Sequence, residues 1–257
     1  LTTTAAWSAD APVKGGTLIY LEQQAHTNLY PPAGGFYPNG GILNQITDKL
    51  TWQNPKTLQV EPWVAESWTT NADKTEYTFK LRPGITFSDG NPMTMEDVLF
   101  SIHNYIDQGE STDKYQYFQY IDFDKTTISD DKMTLNLVYQ FPYGPAERTL
   151  NVSIMEKDFT EQHDSADQIW YTGPVGSGPY KITDCVQDSY VTFTLRDDYW
   201  NKDYTYDASE ITLRFYSDET AMYMDYQSGN LDALYGIGST VASQIEQAGE
   251  EQGTVQY

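Results

Sequence analysis

The sequence predicts an α/β fold with a discontinuous layout, and three observations carry this. A strand apolar on both faces, Gly16 to Glu22, stands near the start. From Thr51 to about Tyr171 the pattern changes to period-two alternation interrupted by short helices. After Gly173, strand, helix and strand follow one another, the mark of a βαβ unit with parallel pairing. A chain of 257 residues is long enough for one large domain or two ordinary ones.

In the first strand Leu18 and Tyr20 face one way and Ile19 and Leu21 the other, which predicts burial on both sides. Gln24 to Gly41 contains Pro31-Pro32, Gly34-Gly35 and Gly40-Gly41 and is expected to be a long loop of the kind that carries function. Leu43, Ile46 and Leu50 fall at helical spacing and predict a helix after it. Tyr77, Phe79 and Leu81 alternate with Thr78, Lys80 and Arg82 as in a half-buried strand, and Asp89-Gly90 marks a turn. Thr94 followed three residues on by Asp97 resembles a capping box, opening a helix with Val98, Ile102 and Tyr105 on one face. Met133, Leu135 and Leu137 mark another strand. Gly176-Ser177-Gly178-Pro179 precedes a strand instead of opening a helix, so it predicts a tight crossing of backbone and not a phosphate cradle. Val191, Phe193 and Leu195 alternate, and Ile211 to Phe215 is a strand. A helix from Glu219 to Gln227 is stopped at Gly229, Leu231 to Tyr235 is a short strand, and Val241 to Gln247 is a helix.

Composition narrows the function. Aromatics are 14% of the chain, with 21 Tyr, a load that argues against disorder. Fifteen Lys and Arg against 37 Asp and Glu give a formal charge of −22, which repels phosphate backbones and anionic lipid, so no nucleic-acid partner is expected. Cys185 is the only cysteine, so no internal disulfide or thiolate cluster forms, and it is expected to be a small packing residue. No apolar run approaches the ~18 residues of a membrane span. Leu1 to Asp10 is Thr/Ala/Ser-rich and is expected to be a tether. There is no HExxH, GxSxG, P-loop or dinucleotide fingerprint. The many carboxylates permit a glycosidase-type pair, but nothing in one sequence says which two face each other. An enzyme of that kind and a non-catalytic cell-surface interaction module both stay open at this point.

The motifs go further. The run Tyr77-Thr78-Phe79-Lys80-Leu81-Arg82-Pro83-Gly84-Ile85-Thr86-Phe87-Ser88-Asp89-Gly90, then Pro92 and Thr94-Met95-Glu96-Asp97-Val98-Leu99-Phe100-Ser101, resembles the signature of the family 5 extracellular solute-binding proteins of ABC importers. Gly15-Gly16-Thr17-Leu18, Pro62-Trp63-Val64-Ala65-Glu66-Ser67-Trp68, Val175-Gly176-Ser177-Gly178-Pro179-Tyr180, Arg196-Asp197-Asp198-Tyr199-Trp200 and Ser228-Gly229-Asn230-Leu231-Asp232 fall in the family's order, from Gly15 to about Tyr235.

The resemblance implies a lobe of the type II periplasmic-binding-protein kind, with a mixed β-sheet and an inserted β-rich subdomain. Residues 1–49 and 172–257 would form the base and 50–171 the insertion, with a second lobe outside these residues. It implies a protein that catalyses nothing, uses no cofactor or metal, and traps an oligopeptide or similar small solute by hinge closure before delivery to membrane permease subunits. It further implies a monomer in an extracytoplasmic location, periplasmic or as a cell-surface lipoprotein, with the signal peptide outside this sequence. The implied ligand-binding residues are Gln24, Ala25, His26 and Thr27 after the first strand, Phe100 at a helix start, and Tyr235 just after the Gly-x-x-Asp segment.

Overall fold

The computed structural model describes residues 15–22, 24–33, 37–107, 115–203, 208–249, 253 and 255. The expected tether, Leu1 to Asp10, and the Gly34-Gly35 pair lie outside the described residues. In chain order the strands are β1 (Thr17–Glu22), β2 (Thr51–Gln53), β3 (Val60–Pro62), β4 (Ala65–Thr70), β5 (Glu76–Leu81), β6 (Thr127–Ile128), β7 (Thr134–Val138), β8 (Tyr180–Val186), β9 (Tyr190–Leu195) and β10 (Glu210–Phe215). The helices are α1 (Tyr37–Ile46), α2 (Met95–Asp107), α3 (Tyr115–Phe118), α4 (Ala146–Thr149), α5 (Lys157–Glu161), α6 (Ile169–Thr172), α7 (Glu219–Gln227) and α8 (Ser239–Ala248).

These elements group into two compact units. The first draws on Leu1–Ala25, Ile182–Leu195 and Asp203–Tyr257, the second on His26–Lys181 and Arg196–Lys202. The boundaries expected after residues 49 and 171 therefore both fall inside the second unit. The short return at Arg196–Lys202 belongs there too, because its side chains bond to residues of that unit, as described below.

The first unit holds a mixed sheet in the order β1-β10-β9-β8. β1 runs parallel to β10, from Thr17↔Glu210 to Glu22↔Phe215, and β10 runs antiparallel to β9. The first strand thus pairs with the last third of the chain, while the parallel pairing expected within the last strand–helix–strand run is not direct, because β1 lies between β10 and Ala233. It is an edge strand, however, and Leu18 is exposed while Leu21 is buried, so burial on both faces does not hold. Among the described residues its outer edge bonds to Asp232 and Ala233. Asp232 N–H donates to the Ile19 carbonyl at 2.7 Å, and a parallel bridge joins Tyr20 to Ala233. The strand expected at Leu231 to Tyr235 is reduced to that bridge. Leu21, Met222, Leu231, Val241 and Ile245 form the core beneath.

Helix α7 has the predicted bounds. Its N-cap is Asp218, whose carboxylate accepts the Ala221 N–H at 2.7 Å. At the other end Gly229 adopts φ 76°, the left-handed conformation that closes a helix and that glycine takes without a Cβ clash. Asp218→Ala is expected to lower stability by ~1 kcal/mol, the usual worth of such a cap, measurable as a shift in the urea midpoint.

In the second unit an antiparallel sheet, β4-β5-β7-β6, packs against α2. Tyr77, Phe79 and Leu81 of β5 point inward with Leu135 and Leu137 of β7, and all are at most 1% exposed. Val98, Ile102 and Tyr105 cover them from α2, the face their spacing predicted. The capping box is real: the Asp97 carboxylate accepts the Thr94 N–H at 2.8 Å, and Thr94 Oγ1 accepts the Glu96 N–H at 3.2 Å. The region expected as one loop from Gln24 to Gly41 instead contains a 3₁₀ turn at Pro31–Ala33 and the first part of α1. Gly40 and Gly41 sit inside α1 although each glycine costs a helix about 1 kcal/mol. Burial of Ile42, Leu43 and Ile46 offsets that cost. Leu50 is buried but lies beyond the helix end at Ile46.

Candidate functional site

Parallel strands leave a sheet at the same edge, and in α/β folds the crevice outside their carboxyl ends is the usual place for a ligand. β1 and β10 form such a pair. Where they end, the first unit has a half-open cavity of about 230 Å³. Leu21, Met222 and Ile237 give it an apolar floor, and Tyr216, Ser217, Asp218 and Glu219 line the rest. The rim is held in place by its own hydrogen bonds. Glu219 accepts the Gly238 N–H at 2.6 Å, and Tyr216 Oη donates to Asp225 at 2.6 Å. That phenol bond, with a second from Asn230, holds the Asp225 carboxyl below its usual range. Burial is the first cause that pushes the Tyr216 phenol up.

Three of the six nominated residues come to this edge. Gln24 and Ala25 are the second and third residues after β1. Tyr235 follows two residues after Ala233, which bridges to Tyr20, and it is 57% exposed.

The other three belong to the second unit. His26 is 2% exposed and stacks on the Tyr171 ring with centroids 4.1 Å apart, its Nε2 lying 2.9 Å from the Tyr171 carbonyl oxygen. Thr27 is exposed, and its N–H donates to Asn39 Oδ1 at 2.8 Å. Phe100 is half-buried on α2. Its carbonyl accepts from Asn104, whose own Oδ1 accepts the Tyr30 hydroxyl at 2.8 Å, so the segment after His26 is tied to the same turn of α2.

The motif residues gather elsewhere in that unit. Asp48 is buried and takes three donors: Trp63 Nε1 at 2.8 Å and Tyr199 Oη at 3.0 Å on Oδ1, and Trp200 Nε1 at 2.7 Å on Oδ2. Burial pushes its carboxyl up to about 6, against those donors and the Arg196 charge, which hold it down. Arg196 is 5% exposed. It pairs with both Asp198 oxygens at 3.0 Å and donates to the carbonyls of Thr86 and Phe87 at 3.0 and 2.9 Å. Gly176 and Gly178 lie against the backbone of Gln45 to Thr47, the tight crossing the sequence predicted. Cys185 is half-buried on β8, and burial with the nearby Asp184 pushes its thiol up to about 11, which keeps it protonated.

The lining from Tyr216 to Glu219 was not nominated from sequence. The signal was present: these residues join a predicted strand to a predicted helix. They point to a ligand edge only once that strand is known to run parallel to the first.

Comparison with known proteins agrees with this architecture. The family model described as bacterial extracellular solute-binding proteins, family 5 Middle, matches residues 59–256. The dipeptide-binding protein DppE of Bacillus subtilis is 28% identical over 247 residues, 88% of this chain and 44% of that protein. The nickel-binding periplasmic protein of Escherichia coli is 23% identical over 91% of this chain and 41% of its own. Among solved structures, the periplasmic binding protein DppA of Helicobacter pylori in complex with the peptide STSA superposes with a TM-score of 0.79 at 22% identity, covering 91% of this chain and 49% of that one. The oligopeptide-binding protein AppA of Bacillus subtilis, in complex with a nonapeptide, gives 0.78 at 20% identity, with 93% and 47% covered. The chain thus spans about half the length of the relatives it matches, and its fold is that of type II periplasmic binding proteins. With a family model matched over most of its length, the chain belongs to the bacterial extracellular solute-binding proteins of family 5.

Proposed function

We propose that the protein is the solute-binding component of an ABC import system, capturing an oligopeptide or a similar small solute and delivering it to membrane permease subunits. The family match over residues 59–256 carries the reading. The named cargoes of its relatives, a dipeptide in one and nickel in another, support the class of function while differing in solute. In this reading the chain works as a monomer outside the cytoplasm, in the periplasm or as a tethered lipoprotein, and makes and breaks no bonds. Its side of the ligand site consists of Gln24, Ala25, His26, Thr27, Phe100 and Tyr235. The exposed ring of Tyr235 and the half-buried ring of Phe100 suit aromatics that cover a ligand from one side. The residues facing them would come from the part of the relatives that this chain does not span.

A thermal-shift screen of the whole gene product against peptides, sugars and metal chelates tests this. A true solute at a hundred times its Kd stabilises by about 2.7 kcal/mol, so the melting temperature climbs with concentration. Tyr235→Ala and Phe100→Ala are then each expected to weaken that solute about tenfold, roughly 1.4 kcal/mol, in calorimetry. A screen in which no class of solute shifts the melt counts against the function. Full affinity in both variants counts against the site alone.

A further inference from the structure

Glu156 is the residue before α5, and it is 4% exposed. Its Oε1 accepts from Asn91 Nδ2 at 2.7 Å. Its Oε2 is buried and has no hydrogen-bond donor among the described residues. The same Asn91 nitrogen donates to Asp89 Oδ2 at 2.8 Å, so one amide holds two carboxyl groups side by side. Asp89, itself exposed, stands beside Glu156 on that amide, and its charge raises the Glu156 carboxyl.

The surroundings add negative charge. Asp97 on α2 uses Oδ1 to accept the Lys157 N–H at 2.9 Å, and it raises Glu156 further. Asp158 follows on α5 and is exposed. Two cations of this unit are engaged by other groups. Lys132 pairs with Glu96 at 2.8 Å, and Arg196 is spent on Asp198 and the carbonyls of Thr86 and Phe87. Lys157 takes part through its backbone N–H. A buried carboxyl oxygen without a donor, beside a second carboxyl held on the same amide, favours the protonated form.

We propose that Glu156 and Asp89 share one proton at neutral pH, Glu156 Oε2 donating to the Asp89 carboxylate, and that this proton latches the Ser88–Asn91 turn to the start of α5. The turn is otherwise tied down through Asn91, which reaches Glu156 Oε1, and through Ser88, whose N–H donates to the Gly176 carbonyl at 2.8 Å. Losing the proton leaves two carboxylates in contact and pushes the turn away from α5. Burial, with Asp89 and Asp97, moves the Glu156 carboxyl up to about 7 from an ordinary 4.5. A group raised in the folded state stabilises fully below its unfolded value, and that contribution is lost as pH rises through the folded one. The latch therefore holds at pH 5 and fails progressively above about 7.

The test follows thermal unfolding of the protein from pH 5 to pH 9 for the wild type, E156Q and D89N. Glutamine carries a permanent N–H donor in place of the shared proton. The E156Q melting temperature is expected to gain on the wild type by a few degrees as pH rises through 7. Parallel curves would overturn the proposal. If E156Q does not fold, the infrared carbonyl band of a protonated carboxyl decides. In the wild type minus D89N difference, which cancels the buried Asp48 carboxyl, that band should persist above pH 6. Absence of the band from that difference at pH 6 overturns the latch. So does a calcium-dependent rise of the wild-type melt at pH 8, because the oxygens would then hold a cation and not a proton.

Discussion

Alanine at Gly178 is expected to destabilise the second unit strongly, with a melting temperature far below that of the wild type. A Cβ there would sit 2.5 Å from Ile46 C, 2.6 Å from Gln45 O and 2.7 Å from Thr47 N. Carbon atoms without a bond between them prefer ~3.5–4.0 Å, and all three obstacles are main chain, so no rotamer change relieves them. The backbones would have to part, which breaks the Gly178 N–H bond to the Ile46 carbonyl at 2.9 Å and disturbs the Arg196 contact with the Gly178 carbonyl. Overpacking of this kind costs ~3 kcal/mol or more, a large share of the ~5–15 kcal/mol that holds a typical domain together. Gly176→Ala, with its Cβ 2.0 Å from Ile46 O, is expected to behave alike. Gly144 is the control, since the nearest atom a Cβ there would meet is Lys74 Cδ, at 4.0 Å. Circular dichroism melts decide: G178A melting within two degrees of G144A would show that the crossing is not rigid.

The same crossing shows what the sequence could and could not convey. Elements with a distinct inner face were legible: β5 through Tyr77, Phe79 and Leu81, and α2 through Val98, Ile102 and Tyr105 behind its Thr94–Asp97 box. There periodicity and propensity agree, because the residues that decide the element lie within it. Where a distant partner decides, the reading failed. Pro31-Pro32 and Gly40-Gly41 favour a loop locally, yet buried Ile42, Leu43 and Ile46 draw the second pair into α1. Leu231 to Tyr235 has the composition of a strand, but among the described residues its ladder is a single bridge, from Ala233 to Tyr20. The family resemblance implied a base that includes Arg196–Lys202. The place of that segment is set by Arg196 reaching Thr86 and Phe87, more than a hundred positions away in sequence.

The candidate site was legible only in part. Gln24, Ala25 and Tyr235 could be nominated, but their common edge depends on β1 running parallel to β10, a long-range fact. The cavity lining from Tyr216 to Glu219 was missed for that reason. The motifs had a different lesson. Trp63, Gly176, Gly178, Arg196, Tyr199 and Trp200 come from three separate motif segments, and their contacts here are with buried backbone and with Asp48. They specify how the chain crosses itself, while Asp48, which binds two of those segments together, lies outside every motif.

Asp48→Ala is accordingly expected to be the second most damaging change. It removes the acceptor used by two indole N–H groups and a phenol, and it leaves a small void beside Trp63 and Trp200. Loss of a shared buried acceptor and its packing costs ~3–5 kcal/mol at acid pH. Asn is no rescue. The two indoles bond to opposite oxygens and can only donate, so an amide with one oxygen must face one of them with its NH₂ in either orientation. The pH dependence has a definite sign. In the folded state burial raises the Asp48 carboxyl to about 6 from an ordinary 3.8. Its contribution is therefore complete below about 3.8 and lost as pH rises through about 6, a change worth roughly 3 kcal/mol. The stability gap between wild type and D48A should accordingly be widest near pH 4 and narrow by pH 7. Urea unfolding followed by tryptophan fluorescence at both pH values measures it, and a gap that widens toward pH 7 would mean the three donors outweigh burial and hold Asp48 ionised throughout.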